Sequence, residues 1–134
     1  MKLVIHVDGG ARGNPGPAAI AAVLSSPDGD VVDEAKATIG VASNNVAEYK
    51  ALLLGLERAK ALGATEVEVV NDSELIAKQV NGEYKVKHVD MKPLHRASLD
   101  AFAGFDQWLI RTVPRAQNKE ADALVNQALD AAAL

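Results

Sequence analysis

The first strand of this chain constrains its fold more than any other feature. Residues 2–8, KLVIHVD, are apolar at almost every position and run directly into Asp8. A strand of this kind is buried on both faces, which is typical of a central position in a sheet that other elements cover. The segment therefore predicts a sheet flanked by helices. It also places Asp8 at the end of a central strand, just before the glycine-rich stretch GGARGNPG.

The rest of the chain alternates between strand and helix patterns. Further strands are predicted at 18–26, 31–39, 66–71 and 106–113, with a hairpin turn at 27–30. Helices are predicted at 45–62, 73–80, 94–104 and 118–132, with an irregular segment at 83–93 that Pro93 closes. A meander followed by alternating helices and strands predicts an α/β fold with a mixed sheet. Helical crossovers would return the last two strands parallel to the first.

Length and composition narrow the class of protein. The 134 residues suit one domain, so we expect a single domain over residues 1–134. Nothing in the sequence demands more than a monomer, so we also expect a monomer without an obligate protein partner. The chain has no cysteine, which excludes disulfides and thiolate metal sites. No apolar run approaches the ~20 residues of a membrane span, so we expect a cytoplasmic protein with no membrane contact.

The charge balance is acidic, but its distribution is uneven. A net charge of −4 on its own disfavours a nucleic-acid partner, which would prefer a basic surface. Two basic groups run against this average, one of Lys85, Lys87, Lys92 and Arg96 and one of Arg111, Arg115 and Lys119. Each group is either a solvated surface or part of a polyanion-binding face, and charge alone leaves both interpretations open.

Two aspartates follow strands that are expected to be parallel neighbours. Asp8 ends the first strand, and Asp72 follows the strand at 66–71. Ligands of open α/β sheets bind outside the carboxyl ends of the strands, so both carboxylates are expected at one functional edge. The structural alternatives are a turn residue for Asp8 and a helix N-cap for Asp72, because DSEL opens a helix.

Two helical carboxylates lie beside apolar faces. Glu48 shares a helix face with Leu52, and Asp122 shares one with Val125 and Leu129. A buried carboxylate is unfavourable unless it is paired or binds a metal. The structural alternative for Glu48 is a capping box with Asn45 three residues earlier.

Four separate elements thus each contribute one carboxylate, and neither histidine nor cysteine accompanies them. Oxygen ligands of this kind suit Mg²⁺ or Mn²⁺ rather than zinc. Two such ions would cancel the formal charge of −4, which weakens the argument against a polyanionic partner. Two metal ions that clamp a phosphodiester are the chemistry such a site would serve.

Four sequence blocks, taken together, resemble ribonuclease H of type 1. They are VDGGARGNPGPAA, SNNVAEYKALLLGLERA, NDSELIAKQVNGEYKVK and VPRAQNKEADALVNQAL, and the resemblance covers residues 2–130. The chain is similar to the short archaeal and actinobacterial form that lacks a basic protrusion. The resemblance implies a ribonuclease H-like fold, a five-stranded mixed sheet of order 3-2-1-4-5 flanked by helices. It also implies a single catalytic domain over residues 1–134.

The resemblance further implies an endonuclease that hydrolyses the RNA strand of RNA/DNA hybrids and leaves 5′-phosphate and 3′-hydroxyl ends. The implied cofactor is a pair of Mg²⁺ ions, for which Mn²⁺ can substitute, held by Asp8, Glu48, Asp72 and Asp122. Asp8 would bridge both ions. Asp122 would complete the ligand set of the ion that activates water, and Glu48 and Asp72 would complete that of the ion facing the leaving oxygen. Arg115 stands where many relatives carry a histidine. Since arginine cannot act as a base at neutral pH, its implied catalytic role is electrostatic.

The same resemblance implies the residues that touch the hybrid. They are Gly9, Gly10, Arg12, Gly13, Asn14, Ser43, Asn44, Asn45, Ser73, Gln79, Lys85 and Lys87. The glycines would let the backbone approach the RNA minor groove, and the start of the first helix would receive a DNA phosphate. Lys85 and Lys87 would partly replace the missing protrusion, whereas Val41 stands where some relatives carry an arginine for the DNA phosphate.

Two other functions are compatible with the same fold. One is a non-catalytic module that binds nucleic acid or protein, which the presence of all four carboxylates disfavours. The other is a 3′–5′ exonuclease, a class that usually carries Asp-x-Glu on the first strand. Here Gly9 and Gly10 follow Asp8, so that pattern is missing.

Overall fold

The computed structural model describes residues 1–133, which form five strands, four α-helices and one short 3₁₀ helix. The strands are β1 (Lys2–Ala11), β2 (Gly16–Ser25), β3 (Val31–Ala42), β4 (Glu66–Asn71) and β5 (Gln107–Thr112). The helices are α1 (Asn44–Ala61), α2 (Glu74–Val80), α3 (Lys92–Ala103) and α4 (Lys119–Ala132), with the 3₁₀ turn Arg115–Gln117 before α4. No helix in this described part of the chain is long and apolar enough to cross a membrane.

The strands form one mixed sheet in the order β3-β2-β1-β4-β5, which confirms the predicted topology. β1 pairs antiparallel with β2 and parallel with β4, and β5 pairs parallel with β4. The pairing of β1 with β4 ends at His6 and Val70, whereas its pairing with β2 continues to Ala11 and Ala18. β1 and β4 therefore diverge at their carboxyl ends, and the candidate site lies at this fork.

The larger part of the core lies between the sheet and α1. Ile5 and Val7 of β1 belong to the same buried cluster as Leu52 of α1. Gly55 brings the helix close to the sheet, because a Cβ there would lie 2.7 Å from Cγ2 of Ile5 and 2.9 Å from Cγ1 of Val7. Glu48 lies about two turns earlier on this helix, so the close packing places it against the end of β1.

The fourth helix covers the other face of the sheet. Side chains of β2 alternate between the two faces, as a strand requires. Ile20 and Ala22 belong to the cluster beneath α1, whereas Ala19 and Ala21 form a second buried cluster with Val125 of α4. The prediction of a sheet flanked by helices is therefore confirmed, and small side chains on β2 leave room for α4 to approach.

β1 is longer than the sequence predicts. The expected strand end is residue 8, but β1 continues through Gly9 and Gly10 to Ala11. It continues because β2 offers an antiparallel partner along the whole stretch, from Asp8 opposite Ala21 onwards. The interpretation of Asp8 as a turn residue is therefore wrong, since it lies within a strand that has lost one of its two neighbours.

The start of α3 also differs from the prediction. The sequence places it at residue 94 with Pro93 closing the irregular segment, but the helix begins at Lys92. Proline is tolerated in the first turn of a helix, where its missing N–H has no intrahelical partner to lose. Residues 83–91 remain outside helices and strands, as predicted.

Candidate active site

An open cleft of about 410 Å³ lies at the fork between β1 and β4. Its lining includes the predicted residues Asp8, Gly9, Gly10, Arg12, Asn44, Asn45, Glu48, Asp72, Ser73, Arg115 and Asp122. The other predicted residues, Gly13, Asn14, Ser43, Gln79, Lys85 and Lys87, do not belong to this lining. The structure thus gathers the predicted catalytic residues in one place and distributes the predicted substrate contacts more widely.

Four elements each deliver one carboxylate to the cleft. Asp8 lies on β1, Glu48 in the second turn of α1, Asp72 directly after β4 and Asp122 in the first turn of α4. Carboxylate oxygens of Asp8, Glu48 and Asp72 all lie within 4.8 Å of one another. We call these three residues the carboxylate cluster. Asp122 lines the same cleft beside it.

The two capping alternatives are wrong. The N-cap of α1 is Ser43, whose Oγ accepts a hydrogen bond from the N–H of Val46 at 3.2 Å. The N-cap of α2 is Ser73, whose Oγ accepts from the N–H of Ile76 at 3.4 Å. Neither Glu48 nor Asp72 is therefore engaged in capping a helix, and both carboxylates face the cleft instead.

Gly9 allows Glu48 to reach the first strand. A Cβ on Gly9 would collide with the backbone carbonyl of Ala47 in α1. Without it, helix and strand approach closely enough for the Gly9 N–H to donate to Oε1 of Glu48 at 3.2 Å. At this position the glycine is thus required by contact within the protein, in addition to the predicted approach of a nucleic acid.

Burial and mutual repulsion disfavour the charged forms of the carboxylate cluster. Burial, followed by the neighbouring carboxyls of Asp8 and Asp72, raises the pKa of Glu48 to about 9. Burial and then Asp72 raise the pKa of Asp8 to about 7. Burial also raises the pKa of Asp72. Three carboxyl groups held this close are therefore unfavourable as anions without a compensating cation.

The donor set of the cluster fits a hard divalent cation. Asp8 is 6% exposed and Glu48 is 9% exposed. Oε2 of Glu48 is buried and has no hydrogen-bond partner within residues 1–133. Carboxylate oxygens are the ligands that Mg²⁺ and Mn²⁺ prefer in proteins. A bound cation would supply the missing partner of Oε2 and would offset the repulsion among the three carboxylates.

Two arginines line the cleft, and their side chains differ in exposure and in the groups that they contact. Nη2 of Arg115 lies 3.5 Å from Oδ1 of Asp122, and the Arg115 side chain is 80% exposed. Arg12 reaches across to α4 instead, where its Nη2 lies 2.6 Å from Oδ1 of Asp130 and 3.4 Å from Oδ1 of Asn126. Arg115 is therefore the more available of the two for a bound anion, while Arg12 joins the glycine-rich stretch to α4.

Two buried asparagines lie beside the site, and the sequence interpretation missed them. Asn118 is 1% exposed, and its Nδ2 donates to the carbonyl of Val7 at 2.8 Å, directly before Asp8. Asn71 is also 1% exposed and directly precedes Asp72. Asn118 is the N-cap residue of α4, but its side chain makes no capping hydrogen bond. The signal that was overlooked is an asparagine shortly before a candidate metal ligand, Asn71 before Asp72 and Asn118 before Asp122.

Two exposed asparagines brace the entrance to the cleft. Oδ1 of Asn14 accepts from the backbone N–H of Asn44 at 3.0 Å, and Oδ1 of Asn44 accepts from the N–H of Ala11 at 2.9 Å. The pair therefore ties the turn after β1 to the start of α1. With each oxygen committed in this way, the amide NH₂ groups are the ends left to meet a ligand.

Gln79 is a correction to the predicted substrate contacts. Its side chain is only 4% exposed, and its Oε1 accepts from the hydroxyl of Tyr49 at 2.7 Å. Its Nε2 donates to the carbonyl of Lys85 at 3.5 Å. Both polar atoms of the amide are used inside the protein, so Gln79 does not present a surface for nucleic acid. Lys85 and Lys87, by contrast, are exposed.

Comparison with known proteins identifies the family to which the fold belongs. A family model described as "Reverse transcriptase-like" matches residues 6–128. The structure is similar to RNase H1 from the halophilic archaeon Halobacterium salinarum, with 45% identity and a TM-score of 0.95 over 97% of this chain and 98% of that one. It is also similar to the N-terminal RNase H domain of rv2228c from Mycobacterium tuberculosis, with 48% identity and a TM-score of 0.95 over 98% and 96% of the two chains.

A third similar structure is LC11-RNase H1 in complex with an RNA/DNA hybrid, with 41% identity and a TM-score of 0.94 over 98% of this chain and 99% of that one. The chain spans 37% of the length of the full Mycobacterium tuberculosis protein and 63% of the Halobacterium salinarum Ribonuclease HI. The matches extend over nearly all of the sheet and its helices. The chain therefore belongs to the ribonuclease H type 1 family.

Proposed function

We propose that this chain is an endonuclease that hydrolyses the RNA strand of RNA/DNA hybrids and leaves 5′-phosphate and 3′-hydroxyl ends. The observation that carries the proposal is the carboxylate cluster, whose oxygens lie within 4.8 Å of one another in an open cleft. The relatives named as ribonuclease H support it, as does the complex of LC11-RNase H1 with a hybrid. The proposal treats residues 1–134 as one catalytic domain, which the five-stranded sheet supports.

The cofactor is proposed to be a pair of Mg²⁺ ions, which Asp8, Glu48, Asp72 and Asp122 would hold. Such ions, when bound, stabilise charge on the reacting phosphate oxygens and supply a nucleophile that is active at neutral pH. The buried, unpartnered Oε2 of Glu48 supports a cation at this place. We expect Mn²⁺ to substitute, because it prefers the same oxygen ligands.

Arg115 is proposed to hold the scissile phosphate. Its side chain is 80% exposed and lines the cleft, with one nitrogen 3.5 Å from Asp122. The remaining guanidinium donors have the geometry that suits bidentate contact with a phosphate. The proposed role is electrostatic, because Arg115 places a positive charge beside the carboxylate of Asp122.

The hybrid is proposed to lie across the cleft entrance. The amide groups of Asn14, Asn44 and Asn45 are available to contact 2′-hydroxyl groups, the feature that distinguishes RNA from DNA. In the first turn of α1 the N–H groups of Asn44 and Val46 already donate to Asn14 and Ser43, so the N–H of Asn45 is proposed to meet a DNA phosphate. The predicted contacts of Gly10, Arg12, Gly13, Ser73, Lys85 and Lys87 belong to the same proposal. The monomeric state and the cytoplasmic location stay predictions.

One assay tests the proposed activity. The protein is incubated with end-labelled RNA/DNA hybrid, double-stranded RNA or DNA duplex, in Mg²⁺ or in EDTA. We expect Mg²⁺-dependent cleavage within the RNA strand of the hybrid. Binding of the hybrid without any cleavage would indicate a non-catalytic module, and stepwise removal of nucleotides from a 3′ end would indicate an exonuclease.

A further inference from the structure

A buried polar pair lies where α1, α2 and α3 meet, outside the carboxylate cluster. Tyr49 of α1 is fully buried and Gln79 of α2 is 4% exposed. The Tyr49 hydroxyl donates to Oε1 of Gln79 at 2.7 Å. Nε2 of His95, on α3, lies 3.1 Å from the backbone oxygen of Gln79.

The hydroxyl of Tyr49 fixes which way the Gln79 amide points. Because Oε1 accepts the Tyr49 proton, Nε2 must face the other side, where the carbonyl of Lys85 accepts from it at 3.5 Å. A buried pair of this kind is costly unless every polar atom is used. Here Nε2 of Gln79 donates to a backbone carbonyl in a segment that belongs to no helix or strand.

We call residues 83–87 the basic segment, because they include Lys85 and Lys87. At its beginning, the N–H groups of Glu83 and Tyr84 donate to the carbonyl of Lys78 at 2.8 and 3.2 Å. Beyond its end, the carbonyl of His88 accepts from the N–H of Met91 at 3.0 Å. The Tyr84 side chain adds a contact with Lys78, whose Nζ donates to the Tyr84 hydroxyl at 3.3 Å. Between the two attachments, the Gln79 amide contacts the backbone and Val86 packs against the core.

The two lysines of the basic segment are exposed on either side of the partly buried Val86. Within residues 1–133, neither Lys85 nor Lys87 takes part in a salt bridge. Both ammonium groups are therefore available to a polyanion, and both extend from backbone that the Gln79 amide holds. A partner that meets an ordered segment loses less conformational entropy on binding.

We propose that Tyr49 and Gln79 are positioning residues for hybrid binding, which hold the basic segment so that Lys85 and Lys87 meet the nucleic-acid backbone in a fixed arrangement. The inference rests on the proposed function, which identifies the ligand as an RNA/DNA hybrid. It assigns to the buried pair a role in affinity and none in the chemical step. The carboxylate cluster and the buried pair then contribute separately measurable properties.

The test compares Tyr49→Phe and Gln79→Leu with Ser98→Ala. Ser98 is a matched control, since its buried hydroxyl donates within α3, to the carbonyl of Leu94, and not to the basic segment. Hybrid binding is measured in EDTA over a range of salt concentrations, and kcat and KM are measured in Mg²⁺. Each positioning variant is expected to raise Kd and KM about fivefold and to lower the salt slope of log Kd by about 1, with kcat unchanged. Ser98→Ala is expected to change none of these.

A double-mutant cycle separates positioning from general loss of stability. In a chain that already carries Lys85→Ala and Lys87→Ala, Gln79→Leu is expected to have no further effect on Kd. An equal loss of affinity in both backgrounds, or no loss in either, would overturn the proposal. If Gln79→Leu does not fold, the same double-mutant cycle is measured with Tyr49→Phe, which deletes only one oxygen. A parent chain that binds hybrid without cleaving it would contradict the proposed activity and would leave this binding test intact.

Discussion

Asp8 shows how a single residue acquires unusual properties from its place in the sheet. It remains paired with β2, opposite Ala21, beyond the point where β1 has lost contact with β4. It is 6% exposed, and it lies close to two other carboxyl groups. An acid held in this way favours its protonated form, so the pKa of Asp8 rises to about 7 from an ordinary 3.8.

The raised pKa predicts how stability depends on pH when metal is absent. Between pH 4 and 7 the unfolded chain releases the Asp8 proton more readily than the folded chain, so the free energy of unfolding falls as pH rises. Asp8→Asn removes this contribution and is expected to stabilise the protein in EDTA at pH 8 by on the order of 1 to 3 kcal/mol. Thermal melts of parent and variant from pH 4 to 8 measure the difference.

Asp100→Asn is the control for that measurement, because Asp100 lies exposed on α3, away from the cleft. It is expected to leave the melting curve of the parent nearly unchanged across the pH range. If Asp8→Asn melted at or below the parent temperature in EDTA at pH 8, the carboxylate cluster would not be the repulsive site that the geometry indicates.

Arg115 makes a second prediction at the same scale. Its exposed side chain contributes little to folding, so Arg115→Ala is expected to shift the melting temperature by less than about 1 °C. Loss of a phosphate contact should lower kcat about tenfold to a hundredfold, and Arg115→Lys should restore part of it. Steady-state kinetics on the hybrid check this, and an unchanged kcat in Arg115→Ala would leave the residue as surface charge.

At the scale of elements, the site depends on how closely α1 packs against β1. The helical periodicity of α1 predicts a buried face, and the structure confirms that Glu48 lies on it together with Leu52 and Gly55. The exact caps were not predictable, because SNN and NDS each offer several residues that cap helices well. The choice of Ser43 and Ser73 depends on where the chain must enter each helix, which is a tertiary property.

The adjacent glycines of β1 give a matched pair of variants. A Cβ on Gly9 would collide with the α1 backbone, whereas a Cβ on Gly10 would meet Cγ1 of Val125 at an ordinary 3.8 Å. Gly9→Ala is therefore expected to lower the free energy of unfolding by about 2 kcal/mol or more, and Gly10→Ala by less than about 1 kcal/mol. Denaturant unfolding of both variants measures this, and equal effects would contradict the proposed helix contact.

Asn118 predicts an effect that links α4 to β1. Its amide donates to the carbonyl of Val7 at 2.8 Å from a fully enclosed position. Asn118→Ala would leave that buried carbonyl without its donor, at a cost of about 1 to 3 kcal/mol in unfolding free energy. We also expect kcat to fall more than KM rises, because the start of α4 carries Asp122. A variant with lost stability and parental kcat would restrict Asn118 to folding.

At the scale of the whole molecule, the order of elements and the edge that carries the carboxylates were predictable from hydrophobic periodicity. Strand extension past Asp8 was not, because it depends on pairing with β2 rather than on the glycines themselves. The burial of Gln79 was not predictable either, since the irregular segment that covers it lies later in the chain. Local patterns therefore predicted that the four carboxylates would lie at one edge of the sheet, but they did not predict that Gln79 is buried.

The proposed function requires that the carboxylate cluster is a metal-dependent catalytic centre for RNA cleavage in a hybrid. The most direct measurement is single-turnover cleavage by the parent and by Asp72→Asn in Mg²⁺, with hybrid binding measured in parallel. We predict internal cleavage by the parent that EDTA abolishes, and a rate at least about a thousandfold lower in Asp72→Asn with binding retained. Cleavage at the parental rate by Asp72→Asn, or cleavage that survives EDTA, would contradict the account.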